Sequence, residues 1–189
     1  MLRTGSFRWC IGACCVIATL LAACIAASGP ARAQANFDRP GGDYLRTPVP
    51  SGDPAVCALQ CERDRRCRAW SFSYPGSSDD GAVCWLKNSV PPRVASTCCV
   101  SGVRGAGVVE PRDSFLEVET DRLGGDYRSL DVPVDPKGDT CKAACEADNK
   151  CRAWTYARPG YISKSARCFL KDHVKPPRRK PGFISGVVR

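Results

Sequence analysis

The sequence predicts two small modules of the same kind, each a short helix stapled by disulfides across a small antiparallel sheet. Three observations predict this. The chain carries 14 cysteines in 189 residues, many more than cytosolic proteins use. The spacing of these cysteines occurs twice, displaced by 84 residues. Each copy spans roughly 70 residues, a size at which a hydrophobic core alone is marginal and disulfides supply the missing stability.

Residues 1–33 are predicted to form a secretory signal peptide. Arg3 and Arg8 precede an uncharged run over Trp9–Ala27, and a small-residue Ala-x-Ala sequence ends at Ala33. This pattern is typical of an exported protein that is cleaved after Ala33. We therefore expect a periplasmic or secreted protein whose ten remaining cysteines form disulfides, because both compartments are oxidising.

The N-terminal segment also allows a lipid anchor. Leu21-Ala22-Ala23-Cys24 resembles the lipobox of bacterial lipoproteins, in which the cysteine is acylated and becomes the mature N-terminus. In that alternative, Cys24 anchors the protein in the envelope. The uncharged run is also long enough to cross a bilayer, but the Gly-Pro and the small residues that follow it favour cleavage.

The repeated cysteine pattern is C-x3-C-x5-C-x16-C. The two sets are Cys57, Cys61, Cys67 and Cys84, and then Cys141, Cys145, Cys151 and Cys168. The surrounding residues agree as well: Gly-Gly-Asp-Tyr opens both copies, Cys-Arg-Ala-Trp lies in the middle of both, and Ser-Gly-Val closes both. A shared period of this kind indicates two copies of one structural unit.

The repeat sets the domain boundaries. Module one is predicted to span residues 37–103 and module two residues 115–189. Residues 104–114 begin with Arg-Gly-Ala-Gly, a composition that is typical of a linker.

A short helix is predicted at the first cysteine pair of each module. In module one, Asp53 is a favoured N-cap and Pro54 fits the first helical position, so the helix runs through about Asp64. In module two, Asp139 is expected to be the N-cap. The spacing of four residues places both sulfurs of each pair on one helix face.

Two strands follow the helix in each module. In module one, the segment from Arg68 to Tyr74 alternates, with Trp70 and Phe72 on one side, which is typical of a strand. A second strand is predicted over residues 83–87. A Pro-Gly turn ends the first strand, so the two strands are expected to pair antiparallel beneath the helix.

These cysteine spacings, with the aromatic strand that begins Cys-Arg-Ala-Trp, resemble the PAN/Apple superfamily. The Gly-Gly-Asp-Tyr opening and the Ser-Gly-Val ending are similar to its bacterial PAN branch in particular. The resemblance covers nearly all of the mature chain, twice. It implies an α+β fold, with each module a curled antiparallel sheet that cradles one helix. It also implies disulfides that join Cys57 to Cys84, Cys61 to Cys67, Cys141 to Cys168, and Cys145 to Cys151.

Two further cysteines, Cys98 and Cys99, occur only in module one, where module two has Gly182 and Phe183. The resemblance assigns them no role. The alternatives are a vicinal disulfide, an interchain bond that makes a disulfide-linked homodimer, and free thiols or metal ligands.

The sequence argues against an enzyme. His173 is the only histidine, and its counterpart in module one is Ser89. The chain lacks the Gly-Lys-Ser/Thr phosphate loop and the Gly-x-Ser-x-Gly nucleophile turn. The secretory signal favours disulfides over zinc at the C-x3-C pairs. We expect no catalytic residues, no metal and no cofactor.

Modules of this family generally bind proteins or carbohydrates, so the resemblance implies an exported binding protein with an unidentified protein or glycan ligand. Most of the large aromatic residues are expected to lie in the core, because a small module needs large side chains to fill it. Because a helix covers only one face of the sheet, some rings are still expected to be accessible for stacking on sugars. The candidates are Trp70, Trp85, Trp154 and Tyr156. Alternatives are a structural envelope component, which contacts the membrane only if lipidated, and an accessory subunit of an envelope enzyme. No nucleic-acid partner is expected after export.

Two polar features are interpreted without a binding role. The basic residues Lys175, Arg178, Arg179 and Lys180 are expected to lie in a solvated loop, although they could attract polyanions. The recurrent Asp43 and Asp126 are interpreted as turn residues that accept hydrogen bonds from backbone donors, with a cation or a sugar hydroxyl as the alternative partner.

Overall fold

The computed structural model of the protein describes residues 34–76, 81–108 and 116–188. These residues form two antiparallel sheets with one helix on each, which confirms the predicted α+β class. The predicted signal peptide, Cys24 and most of the predicted linker lie outside the described residues.

Module one contains five strands and one helix. They are β1 (Gln34–Asp38), β2 (Asp43–Pro48), α1 (Pro54–Arg63), β3 (Ala69–Ser73), β4 (Val83–Lys87) and β5 (Val94–Val103). The sheet order is β1-β5-β3-β4-β2, and every neighbouring pair is antiparallel. Helix α1 packs on β3 and β4, so the centre of the sheet lies beneath it.

Module two repeats this topology. Its elements are β6 (Glu117–Asp121), β7 (Asp126–Val132), α2 (Asp139–Glu146), β8 (Ala153–Ala157), β9 (Ala166–Lys171) and β10 (Arg178–Val187). The order β6-β10-β8-β9-β7 is the order of module one, and α2 packs on β8 and β9. Three strands of each sheet were not among the predicted ones, namely β1, β2 and β5 in module one and β6, β7 and β10 in module two.

The two helices begin differently. In α1, the Asp53 carboxylate accepts a hydrogen bond from Ala55 N at 2.8 Å, and Pro54 is the first helical residue. In α2, the prediction that Asp139 is the N-cap is wrong, because Asp139 is already helical and Gly138 precedes it with φ +74°. The carboxylate of Asp135 instead accepts hydrogen bonds from the backbone of Lys137, Gly138 and Thr140. A glycine at position 138 also leaves room for the ring of Trp154.

Two disulfides in each module join the helix to its sheet and to the loop that follows the helix. The structure joins Cys57 to Cys84, Cys61 to Cys67, Cys141 to Cys168, and Cys145 to Cys151. All eight cysteines are buried. A helix of ten residues and one of eight are too short to be stable alone, so these bonds and the packing on the sheet hold them.

Each module has its own hydrophobic core between helix and sheet. In module one the core centres on Trp70 and Phe72 of β3, and in module two on Trp154 and Tyr156 of β8. Bulky rings fill the space because a module of this size has few other large side chains.

Candidate binding site between the two modules

The four candidate sugar-stacking residues differ in how far their side chains are buried. Trp70, Trp154 and Tyr156 are 1%, 0% and 0% exposed, so the expectation that they are accessible is wrong. Strand alternation turns these rings toward the helix, where they form the core. Trp85 lies on the opposite face of its strand and is only half-buried, with the guanidinium carbon of Arg46 5.3 Å from its ring centroid.

The recurrent aspartates form ion pairs instead of capping backbone donors. Asp43 pairs with Nζ of Lys87, and Asp126 Oδ1 lies 2.5 Å from Nζ of Lys171. Both lysines are only 2% exposed. A buried ammonium needs a carboxylate partner, so the repeated Gly-Gly-Asp-Tyr opening serves the fold.

The expectation of a solvated loop for the basic segment 175–180 is wrong from Arg178 onward, because Arg178 begins β10. Nζ of Lys180 lies 3.2 Å from an Asp121 oxygen and 3.9 Å from the ring centroid of Phe183. Residues 178–180 are therefore held by strand pairing and by these side-chain contacts.

The modules contact each other through a buried cluster at the end of β3. The hydroxyl of Tyr74 donates to Glu119 Oε1 at 2.5 Å, and the guanidinium carbon of Arg158 lies 4.2 Å from the Tyr74 ring centroid. The other Glu119 oxygen accepts from Gly182 N at 2.8 Å. Burial, and then the charge of Glu119, raise the pKa of Tyr74 well above its ordinary value. The two modules are therefore joined by a hydrogen bond from the neutral phenol of Tyr74 to the buried carboxylate of Glu119.

Tyr161 provides the second contact between the modules. Its hydroxyl donates to the carbonyl oxygen of Gly52 at 2.6 Å. Its ring lies edge-on to Tyr74 and to Phe183, with centroids 6.4 and 6.2 Å away. A Cβ atom built on Gly182 would lie 2.2 Å from the Tyr161 ring, so only glycine admits the ring at that position. Burial raises the pKa of Tyr161.

An ion pair provides the third contact. Both terminal nitrogens of Arg179 donate to the Asp53 carboxylate at 2.8 Å. Burial alone would raise the pKa of Asp53, but the hydrogen bonds from Arg179 and from Ala55 N outweigh it and lower that pKa. Asp53 therefore caps α1 and pairs with module two at the same time.

The Tyr161–Gly52 contact lines a groove of about 540 Å³ between the modules. Its walls come from residues 48–50, Pro75 and Ala82 of module one and from residues 160–164 of module two. The Pro-Gly turns that follow β3 and β8 meet here, and a Cβ on Gly160 would lie 2.5 Å from Pro75 Cβ. We take this groove as the candidate binding site.

The two copies of the repeat differ at residues of this interface, and the sequence-based predictions did not draw on these differences. Tyr74 and Arg158 occupy the same position in the two copies, yet they are chemically unlike. Position 161 is Tyr where the corresponding residue of module one, Ser77, is small. Such departures from a repeat mark positions where the copies have different neighbours.

The structure bonds Cys98 to Cys99, which is the vicinal alternative. Cys98 is exposed, whereas Cys99 is buried. The carbonyl oxygen of Cys98 accepts a hydrogen bond from Tyr74 N at 3.0 Å, so the pair adjoins the contact between the modules.

The described residues contain neither a metal-binding cluster nor a helix that could span a membrane. Within the described ranges, no group of histidine, cysteine or acidic side chains has the arrangement of a metal site. In the same part of the chain, no helix has the length and apolar character needed to cross a membrane. The single histidine, His173, is exposed and its Nδ1 lies 2.6 Å from Asp172 Oδ1.

Comparison with known proteins agrees with the internal repeat. The family model described as PAN domain matches two segments of the chain, residues 37–87 and 120–171. Among solved structures, the chain is similar to the two N-terminal apple domains of Toxoplasma gondii microneme protein 4. The two share 22% sequence identity over 85% of this chain and 95% of that one, with a TM-score of 0.31. No curated protein matches the chain.

Proposed function

The chain belongs to the PAN domain family, whose model matches more than half of its length, and we propose that it is a non-catalytic, exported binding protein. In this proposal its two PAN/Apple-like modules, of the bacterial branch, together recognise one protein or carbohydrate ligand in the groove between them. PAN and apple domains are typically binding modules, which supports a recognition role.

The observation that carries the proposal is that both modules build the groove and are fixed to each other beside it. The Tyr74–Glu119 hydrogen bond, the Tyr161–Gly52 hydrogen bond and the Asp53–Arg179 ion pair all cross between the modules. A groove whose walls are already fixed loses little conformational freedom when a ligand binds. More of the free energy of the contacts with the ligand then appears as net affinity.

The walls of the groove also suit a ligand with an apolar face and polar edges. Pro48, Pro50 and Ile162 are exposed apolar residues at the groove, and Tyr161 adds an aromatic ring. Ser163 and Lys164 add polar groups on the module-two side. Apolar walls with a few polar groups are typical of sites that bind small molecules or short segments.

The test is a capture experiment with residues 34–189 as immobilised bait in envelope extract, eluted with sugars and then with salt. Ile162 lies in the groove and is 52% exposed, so Ile162→Arg blocks the groove without touching the core. Val134 is 63% exposed and is not part of the groove, so Val134→Arg is the matched control. We expect Ile162→Arg to lose the captured ligand and Val134→Arg to retain it. Equal capture by both variants would reject the groove as the site.

Export is part of the proposal, and the mature N-terminus tests it. The disulfides Cys57–Cys84 and Cys141–Cys168 support an oxidising compartment. We expect mass spectrometry of the protein from its native host to find Gln34 as the first residue. An acylated Cys24 would instead favour the lipid-anchored envelope component.

A further inference from the structure

A second surface, lined by a different set of residues from the groove between the modules, lies on module one where arginines gather around the end of α1. We call it the arginine face. Its members are Arg63, Arg65, Arg66, Arg68 and Arg104. The backbone nitrogen of Arg104 donates to the carbonyl of Arg68 at 2.9 Å, and its guanidinium donates to the carbonyl of Glu62 at 2.9 Å. These bonds bring sequence-distant residues to one surface.

The repeat shows which of these charges the fold requires. Arg66 stacks on Tyr44 with its guanidinium carbon 4.3 Å from the ring centroid, and module two keeps this contact as Lys150 on Tyr127 at 4.5 Å. Arg68 recurs as Arg152.

Arg63 and Arg65 have no such counterparts, because module two has Ala147 and Asn149 at these positions. Module two folds to the same topology without the two charges. Arg63 and Arg65 are therefore additional to what the fold needs, and both are exposed.

The nearby carboxylates do not cancel this charge. Residues 62–68 contain four arginines and two acids, whereas residues 146–152 contain two bases and two acids. Asp64 accepts from the Tyr44 hydroxyl at 2.6 Å and from Arg66 N at 2.8 Å. The net positive charge at the end of α1 is thus specific to module one.

A shallow groove of about 430 Å³ runs between this end of α1 and the strand β2. Arg63 and Arg65 line it on the helix side, and Leu45 and Thr47 line it on the strand side. Leu45 is 42% exposed. Strand β2 is an edge of its sheet, so its outer side offers backbone groups to another strand. In module one, Leu45 lies opposite Leu86 of β4. In module two, the corresponding residue is Arg128, which lies opposite Leu170 of β9.

We propose that this groove binds an extended acidic peptide segment of a partner protein. The segment adds to β2 as a further strand, so that backbone hydrogen bonds provide affinity and alternate side chains provide specificity. An apolar side chain packs on Leu45, and carboxylates pair with Arg63 and Arg65, whose forked donors match carboxylate geometry. The surface belongs to module one alone, so the proposal stands or fails independently of the groove between the modules.

The test measures fluorescence anisotropy of a labelled ten-residue peptide of alternating Glu and Leu, titrated with residues 34–189. We expect one peptide per protein, with affinity that falls as NaCl is raised. The variant Arg63→Ala/Arg65→Asn installs the residues of module two, which that module tolerates, and we expect it to weaken binding at least about tenfold. Unchanged affinity in this variant would overturn the proposal.

A reciprocal variant tests the same surface by gain of binding. Arg128→Leu/Ala147→Arg/Asn149→Arg gives module two the three residues of module one. We expect the stoichiometry to rise from one peptide to two, because module two then presents the same edge strand and the same charges. A stoichiometry that stays at one would contradict the assignment of the site to these residues.

Two further probes distinguish strand addition by a peptide from binding of a polysaccharide. A peptide of the same sequence with alternate backbone nitrogens methylated should lose binding, and equal binding would overturn strand addition. Dextran sulfate tests for a polyanionic sugar. If dextran sulfate binds through Arg63 and Arg65 while the acidic peptide does not bind, the surface recognises polysaccharide and the proposal is wrong.

Discussion

Tyr74 and Arg158 are corresponding residues of the two modules that make different contacts in the fold. They occupy the same repeat position, and in the folded chain they stack on each other. Tyr74 is 8% exposed, Arg158 is 4% exposed and Glu119 is 2% exposed. A buried carboxylate of this kind is stable only with charged or hydrogen-bonding partners, which come here from both modules.

The tyrosines predict an alkaline limit to stability. Burial raises the pKa of Tyr74, Tyr156 and Tyr161, and burial with a nearby aspartate raises the pKa of Tyr44 and of Tyr127 to about 12. These are all five tyrosines of the chain. A phenol whose pKa is higher in the folded state than the ordinary 10.0 favours folding below pH 10, and this contribution is lost as the pH rises above that value.

We therefore expect tyrosinate absorbance to stay low in the folded protein above pH 10, then to rise together with unfolding. The free energy of unfolding, measured in urea at several pH values, should fall over the same range. A gradual titration of most tyrosines near pH 10 without unfolding would contradict this expectation.

Gly182 offers a matched test of the contact with Tyr161. Gly182 and Gly105 have φ angles of +77° and +82°, but a Cβ on Gly105 would meet no atom within 4 Å. Gly105→Ala should cost about 1–2 kcal/mol from the left-handed backbone alone. Gly182→Ala should cost a further 1–3 kcal/mol, roughly, from overlap with Tyr161. Urea unfolding of both variants measures the difference, and equal costs would mean that the ring is not packed there.

At the scale of elements, the sequence predicted what local chemistry fixes. Asp53 and Pro54 begin α1 as expected, because a capping carboxylate and a proline at the first helical position act within one turn. The prediction failed at α2, where Gly138 occupies the N-cap position and Asp135, four residues before the helix, accepts the backbone hydrogen bonds. Asp139 has the right residue type, but the close approach of Trp154 requires a glycine at position 138. This glycine requirement comes from a tertiary contact, which the local sequence pattern does not show.

The disulfides should stabilise the elements according to the loops they close. The Cys57–Cys84 bond closes 27 residues and the Cys61–Cys67 bond closes 6. Restricting the unfolded chain predicts losses of about 3.5 and about 2 kcal/mol when each pair is replaced by alanines. Thermal unfolding of the two double variants, each measured under oxidising conditions, tests this order. The reverse order would show that strain or packing outweighs loop closure.

At the scale of the whole molecule, the two modules form a joined pair. The contacts between them come from residues that the repeat does not share, such as Tyr161 and Arg179. Module one has Ser77 at the position of Tyr161, so exchanging the two modules would lose this contact. The asymmetry of the sequence at these positions produces one defined arrangement and the groove between the copies.

We expect the two modules to unfold together in calorimetry, as a single transition. Tyr161→Ala removes the ring from the interface and should separate the transition into two. Arg179→Met removes a partly exposed ion pair with Asp53, and we expect a cost of about 0.5–1 kcal/mol. Arg178→Met, at the neighbouring exposed residue, is the control and should cost less. A single sharp transition in Tyr161→Ala would show that the modules do not depend on this contact.

The sequence by itself determined the two-module organisation, the class of fold and the start of α1. These follow from cysteine spacing, its recurrence 84 residues later, strand alternation and helix capping, all of which can be read along the chain. Only the tertiary structure decided that Trp70, Trp154 and Tyr156 are core residues, that β10 takes up the basic segment, and that a groove lies between the modules. The reason is that burial and docking depend on residues far apart in the chain, such as Tyr74 with Glu119 and Asp53 with Arg179. No local pattern encodes which of two similar modules supplies each partner.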